Sequence, residues 1–330
     1  MTTSRAPLSI LDLAIVGPGE TAADGLAGTV TTAQAAERLG YSRIWYAEHH
    51  NMPAIASSAP AVLIAHVAAH TSRIRLGAGG VMLPNHAPLA IAEQYGTLAE
   101  LHPGLIDLGL GRAPGTDQVT LRALRRDPQD SERFPQDVLE LQGYLSGDTR
   151  IPGVHATPGR GTDVPLYILG SSMFGGSLAA ALGLPHGFAS HFAPDELERS
   201  VAYYRANFQP SAQLDAPYVV AGVNVFAADT TEEAEAHLLT SQRRRVGLFV
   251  DRNRRFTDEE ADELLASRHG LHVQAMARCS AVGTPEQVAD QLEAFTKQAD
   301  ADELMVVFGG PTLDARLHAA ELTAGAWGLS

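Results

Sequence analysis

A single cysteine, Cys279, stands in 330 residues. An intrachain disulfide is therefore excluded, and so is a metal site built from several thiolates. Lysine is as scarce: Lys297 is the only one, and arginine carries the remaining positive charge. Basic character as a whole is lacking, with 24 Lys and Arg against 38 Asp and Glu, a formal net charge of −14 and a pI of about 5.3. Neutralising phosphates needs a basic patch, so nucleic acid is not expected as a partner. No apolar run approaches the roughly 20 residues that span a bilayer. Met1–Pro7 shows no basic region followed by an apolar one, so no signal peptide is expected either. Low-complexity tracts, Ser/Pro/Gly-rich linkers and short internal repeats are also missing. These absences leave a cytoplasmic protein as the expectation. Its composition is 45% hydrophobic, enough for a large core. One domain over residues 1–330 is expected, since α/β barrels reach this length as a single unit.

What is present is an alternation. Strands are expected to begin at Leu8, Arg43, Ile74, Leu105, Pro165, His186, Tyr218 and Glu303, each followed by a helical pattern. Pro60 and Pro88 open helices, and Gly40 closes the one that ends at Leu39. Eight such units predict a parallel sheet with helices outside, an α/β fold of the (β/α)8 TIM barrel type. A doubly wound sheet would show a glycine-rich turn after the first strand. Gly17-Pro18-Gly19 is a poor version of it, because Ala22 stands at the last glycine position and a proline interrupts. Gly147–Asp163 reads as an insertion before the fifth strand. Thr231 to about Arg278, which contains the charged runs Gln242–Arg245 and Arg252–Arg255, is mostly helical and longer than one crossover helix requires. Such excursions at an active rim are often lids.

Three successive strands end in Glu48-His49-His50, Gly79-Gly80 and Gly111-Arg112-Ala113. Adjacent residues of an extended chain point to opposite faces, so His49 and His50 do not suit joint metal ligation. His66 and His70 share a helical face, but Val67 stands where an H-E-x-x-H motif has glutamate. No metal is expected. A single histidine at the rim suits a hydrogen bond to an oxyanion or peroxide, or acid–base work; it also suits a purely structural role. Gly79-Gly80 fits a flat ring lying against the backbone, or a bulge at a barrel corner. Arg112 between small neighbours fits bidentate phosphate recognition, or a surface ion pair. Gly170-Ser171-Ser172 offers backbone N–H groups and hydroxyls at a helix N-terminus, though serine caps helices without any ligand.

The stretches Ile44–His50 (IWYAEHH), Arg73–His86 (RIRLGAGGVMLPNH), His102–Asp117 (HPGLIDLGLGRAPGTD), Leu169–Ser172 (LGSS) and Val282–Leu292 (VGTPEQVADQL) carry a resemblance. Over nearly its whole length the chain resembles the luciferase-like flavin monooxygenase family, including the bacterial oxidoreductases of polyketide tailoring clusters. The resemblance implies a barrel that binds reduced FMN at its mouth and reacts it with O2 to a flavin hydroperoxide, oxidising a small organic substrate. It implies that His49 is the catalytic residue that stabilises this intermediate. Glu48 of the same motif is expected in the cofactor site. Gly79 and Gly80 match a small-residue pair, often joined by a non-prolyl cis peptide, against the isoalloxazine ring. Arg112, with Ala113 beside it, matches the phosphate-binding arginine, and Gly170, Ser171 and Ser172 the opposing phosphate loop. The long segment after strand seven matches a lid, with Leu248-Phe249-Val250 and Asn51–Ser58 expected to line an apolar substrate pocket. No nicotinamide site is visible, so a separate NAD(P)H:flavin reductase is implied as partner, together with a homodimer. The chain departs from its relatives at Leu105, where they usually carry arginine; altered packing or a lost ion pair at the lower rim is expected. It also departs at Gly175-Gly176, where a hydroxyl residue is usual, which implies a weaker hold on the phosphate. A deazaflavin-dependent hydride-transfer enzyme of the same superfamily and a flavin-binding protein without turnover stay open as alternatives.

Overall fold

The structure, a computed structural model, describes residues 5–113, 115–251, 254 and 256–329, and of Leu248 the backbone alone. Pro114, most of the Arg252–Arg255 run and the start of Met1–Pro7 lie outside the described residues.

Eight parallel strands close a ring. In order around it stand β1 (Leu8–Asp12), β2 (Arg43–Tyr46), β3 (Arg75–Met82), β4 (Ile106–Gly111), β5 (Leu166–Gly170), β6 (His186–Phe188), β7 (Val219–Ala227) and the last strand, Glu303–Phe308, which returns to β1. The fold is the expected (β/α)8 barrel. A short strand foreseen by nothing in the sequence, β8 (Ser280–Gly283), pairs with β7 from Asn224 to Ala227, above the three residues of β7 that β6 takes. The closing strand is therefore β9.

The helices outside are α1 (Ala22–Leu39), α2 (Pro60–Ala68), α3 (Pro88–Leu101), α4 (Gln118–Ala123), α5 (Phe134–Ser146), α6 (Met173–Leu182), α7 (Leu197–Asn207), α8 (Thr231–Val250), α9 (Asp258–Leu265), α10 (Arg268–Met276), α11 (Pro285–Gln298) and α12 (Leu313–Trp327). Local chemistry sets their ends. Thr21 and Asp24 form a capping box at α1, and Gly40 closes it at φ 84°. Prolines occupy the first turn of α2, α3 and α11. Ile44, Tyr46, Leu76, Leu108 and Ile168 face outward from the strands and join the helices' apolar stripes in the main core. No helix among the described residues is long and apolar enough to cross a membrane.

The inside of the ring is graded along its axis. At the N-terminal end, Arg43 donates to Glu303 (Nε to Oε1, 2.8 Å) and to Asp107 (Nη1 to Oδ2, 2.7 Å). Arg75 also pairs with Asp107, and the Tyr167 and Tyr218 hydroxyls complete the network, Tyr218 donating to Glu303 at 2.7 Å. Leu105 lies at this lower rim, where Arg75 bridges Asp107 and the Gly104 carbonyl; the local ion pair comes from β3 instead. Above this network, Leu11, Trp45, Val220 and Met305 fill the middle. Towards the C-terminal mouth several strands carry glycine: Gly79 and Gly80 on β3, Gly109 on β4, Gly187 on β6 and Gly222 on β7.

Candidate active site

β2 runs out into Ala47-Glu48-His49-His50, and the rest of its own loop and the loop after β4 fasten this tetrapeptide. The His49 N–H donates to the Ser57 carbonyl at 3.0 Å. The Thr116 hydroxyl donates to the His50 carbonyl at 3.1 Å. Gly115, at φ 62°, lies so close that a Cβ there would sit 2.9 Å from the Glu48 carbonyl oxygen. Backbone contact thus brings the loops after β2 and β4 together at the mouth.

Glu48 is fully buried. Its Oε1 accepts from His50 Nε2 (2.9 Å) and His86 Nε2 (2.8 Å), and its Oε2 from the Met82 N–H (3.1 Å). Burial acts to raise its pKa, but the two histidine hydrogen bonds and the Met82 amide outweigh it, so the net direction is down. Glu48 therefore joins the β2 and β3 rims as an ionised brace. His50 stands with Glu48, leaving His49 on the other side of the chain. The His49 pKa is pushed down by burial, against the Gly115 carbonyl and the Glu48 charge. Its Nδ1 is buried without a hydrogen-bond partner.

The Gly79–Gly80 peptide is cis, and the β3–β4 register shifts between Ala78 and Val81. A Cβ on Gly79 would lie 2.9 Å from Leu11 Cδ1, and one on Gly80 2.6 Å from Leu169 Cδ1 and 2.8 Å from the Gly109 carbonyl oxygen. The wall here is bare backbone.

At the β4–β5 corner, the exposed Arg112 guanidinium stacks 4.2 Å from the centroid of Phe174, at the start of α6. Arg112 thereby lies beside Gly170-Ser171-Ser172, while Ala113 follows it on the β4 loop. The α6 N-terminus already holds a carboxylate: the Met173 N–H donates to Glu196 Oε2 at 3.0 Å. Gly175 and Gly176 are where α6 rests on its neighbours, a Cβ on Gly176 meeting Ser200 Oγ at 2.6 Å. The hydroxyl expected in that region is supplied from α7, and it is engaged with His186 Nε2 at 3.1 Å.

In the long segment after β7, Phe249 and Val250 are 49% and 42% exposed, and Phe249 packs edge-on against His272. Leu248's side chain is outside the described residues. On α8, Arg243 pairs with Asp258 and Asp262 of α9, while Arg244 and Arg245 turn to the rim. Arg244 donates to the Pro311 carbonyl at 3.2 Å. Arg245 lines a small cavity with Asn224 and Ser280. Beside it, His191 of the β6–α7 loop lies over Gly222, where a Cβ would be 2.4 Å from His191 Nδ1. Burial, then the charges of Arg245 and His49, push the His191 pKa down to about 3. Asn51–Ser58 is tied to the loop after β1, the Val16 N–H donating to the Ala54 carbonyl at 2.9 Å.

His86, Glu196, His191, Asn224 and Arg245 had no assigned role in the sequence reading. His86 ends the RIRLGAGGVMLPNH stretch, but only the fold shows that it shares Glu48 with His50. Among the described residues, no cluster of His, Cys, Asp or Glu could hold a metal ion.

The family model described as luciferase-like monooxygenase matches residues 7–302. A luciferase-like monooxygenase of Escherichia coli (strain K12) is 45% identical over 331 residues, covering 98% of this chain and 97% of that one. The N-acetyl-S-alkylcysteine monooxygenase of Bacillus subtilis (strain 168) is 37% identical, covering 86% of this chain and 87% of its own. Among solved structures, apo-MsnO8 superposes with a TM-score of 0.89 at 32% identity, over 99% of both chains. Two others at 14% identity share the fold. The FMN complex of the oxygenating constituent of 3,6-diketocamphane monooxygenase from Pseudomonas putida has a TM-score of 0.69, covering 97% of each chain. An F420-dependent secondary alcohol dehydrogenase has 0.70, covering 98% and 99%. By sequence and by fold, the chain belongs to the luciferase-like monooxygenase family and is an oxidoreductase of that family.

Proposed function

We propose that the protein is the oxygenase of a two-component system, taking reduced FMN from a separate NAD(P)H:flavin reductase and using O2 to oxidise a small organic substrate. Reduced FMN, when bound, supplies the electrons that activate dioxygen. The observation that carries this reading is the unpartnered, buried Nδ1 of His49 on the same rim as Arg112, which stacks on Phe174.

The residues present suit a flavin. Bare backbone at Gly79-Gly80 leaves room for a flat ring, and the Arg112 fork suits a phosphate. Ser171, Ser172 and the amides near Gly170 and Ala113 extend that corner. Because Glu196 already takes the Met173 amide, the phosphate would depend on Arg112, the two serine hydroxyls and the amides that remain. Such a hold is loose, which suits a flavin that arrives reduced and leaves oxidised. His49, with its pKa lowered by burial, is neutral at pH 7. It therefore offers one ring N–H, a donor that steadies an oxygen without readily surrendering its proton. Glu48 acts at one remove, fixing the loop that carries His49. α8 reaches the mouth through Arg244, which donates to the Pro311 carbonyl, and would restrict water there.

Stopped-flow absorbance tests the reading: reduced FMN is mixed with the protein in aerated buffer. The expected result is slower reoxidation than that of free flavin, through a spectrum unlike either end state. Reoxidation at the free-flavin rate, together with tight binding of reduced deazaflavin, would replace it with hydride transfer. The relative named for N-acetyl-S-alkylcysteines makes a thioether the first substrate to assay. The resemblance also implies a homodimer, which sedimentation velocity decides.

A further inference from the structure

We propose that Arg245, framed by His191 and Asn224, is a subsite for a carboxylate carried by the organic substrate, on the side of the mouth opposite Gly79-Gly80. The ring order puts β7 four strands from β3 in either direction, so the β7 wall faces the cis peptide across the barrel. Arg245 stands against that wall. It lines a cavity with Asn224, Ser241, Gln242 and Ser280, and no carboxylate lines it. Among the described residues Arg245 makes no hydrogen bond or ion pair. Arg245 is half-buried with no protein partner for its guanidinium, which packing alone does not account for.

Its neighbours are arranged for an anion as well. The Asn224 side-chain amide donates to the His191 backbone carbonyl at 2.7 Å and fixes that loop. Gly222 leaves room for the His191 ring, whose Nδ1 is buried and unpartnered. With no carboxylate in the cavity, the Arg245 fork is left for one carried by a ligand, and the neutral imidazole beside it adds no competing charge. Arg112 stands after β4, three strands from β7 in the ring, so the two arginines serve different groups: Arg112 the flavin phosphate, Arg245 the substrate.

The inference takes its substrate from the reading above, but its test needs no turnover. Benzylthioacetate and its neutral amide, benzylthioacetamide, are titrated calorimetrically into the flavin-free protein, the Arg245→Gln variant and Arg245→Lys. The wild type is expected to bind the carboxylate at least tenfold more tightly than the amide. Arg245→Gln should bring the two within about twofold, and Arg245→Lys should restore part of the preference. A Ser280→Asp variant, which keeps Arg245 but places a carboxylate in its cavity, should also lose the preference. Equal binding by the wild type, or failure of both compounds to bind at millimolar concentration, overturns the proposal. So does an Arg245→Gln variant that keeps the preference, or one that weakens FMN but not riboflavin, since Arg245 would then serve the phosphate. Failure of the protein to slow reduced-FMN oxidation would sink the two-component reading alone.

Discussion

Replacing Glu48 by glutamine keeps the volume and removes the charge. The ionised carboxylate accepts three hydrogen bonds, from His50, His86 and the Met82 amide. A glutamine carbonyl oxygen can keep one or two of them, while its NH2 faces a donor where an acceptor stood. Hydrogen bonds to a charged group contribute about 1.5–3 kcal/mol each, and neutral ones about 1. A donor left unsatisfied in a buried site adds about 1–3 kcal/mol. Partial rotation of the half-exposed His86 ring offsets some of this, so a loss of about 2–3 kcal/mol is expected. With unfolding entropy near 2.1 cal/mol/K per residue over 330 residues, that is a fall in Tm of about 3–4 °C. The pH dependence identifies the cause. The folded pKa of Glu48 lies below its unfolded value, so its contribution is present above the unfolded pKa of about 4.3 and is lost as pH falls through the folded one. The wild-type and Glu48→Gln melting curves should therefore differ at pH 7 and converge as the pH drops below about 4. Differential scanning calorimetry across that range decides it. A constant difference at every pH, or none at pH 7, would refute the ionised brace.

Further outcomes follow from the same contacts. Arg43→Met removes the cation shared by Glu303 and Asp107 at the closed end of the barrel; breaking a buried pair this way costs about 3–5 kcal/mol, read as a fall in the urea midpoint. Gly80→Ala forces a Cβ against the Gly109 carbonyl at 2.8 Å, backbone that cannot step aside, and should cost about 1–3 kcal/mol in the same assay. Arg112→Ala should weaken reduced-FMN binding by about 10- to 100-fold, the worth of one charge-assisted contact, and leave riboflavin binding unchanged in anaerobic titration. Equal losses for both flavins would remove Arg112 from the phosphate.

The ring was legible because its punctuation is local. Pro60, Pro88 and Gly40 mark helix ends by their own backbone limits, and each strand is an apolar run that stops in polar or small residues. β8 was not legible: Ser280–Gly283 has no length or pattern of its own and is a strand only because the upper half of β7 presents a vacant edge. The Thr231–Arg278 stretch read correctly as helical. Its division into three helices is set by the Thr257 and Ser267 caps, and the direction of its arginines by tertiary packing. Residues at strand ends, such as His49 and Arg112, could be placed on one rim by counting. Their partners could not. His86 reaches Glu48 across 38 residues and Glu196 reaches α6 across 23, and neither separation leaves a trace in the sequence.

The two glycines at the mouth had two sequence-level explanations, a close ligand or a barrel corner, and the geometry adds a third that comes before both. Leu169 projects inward from β5, and its side chain lies 2.6, 2.8 and 2.5 Å from where Cβ atoms would stand on Gly80, Gly109 and Gly187. One leucine thus fills notches cut in β3, β4 and β6, and Gly79 does the same for Leu11 and Trp45. Any side chain at these positions would push the floor of the mouth upward, whether or not a ring lies on it. Gly79 and Gly80 are thus required by barrel packing, and the flat surface available to a flavin is a consequence of how that packing is solved. The proposed flavin site rests instead on the groups that packing leaves without a protein hydrogen-bond partner, the Arg112 guanidinium at one corner and the buried Nδ1 of His49. For the same reason a glycine pair within a strand would point to a flavin only in company, when an arginine and a histidine end the strands on either side of it.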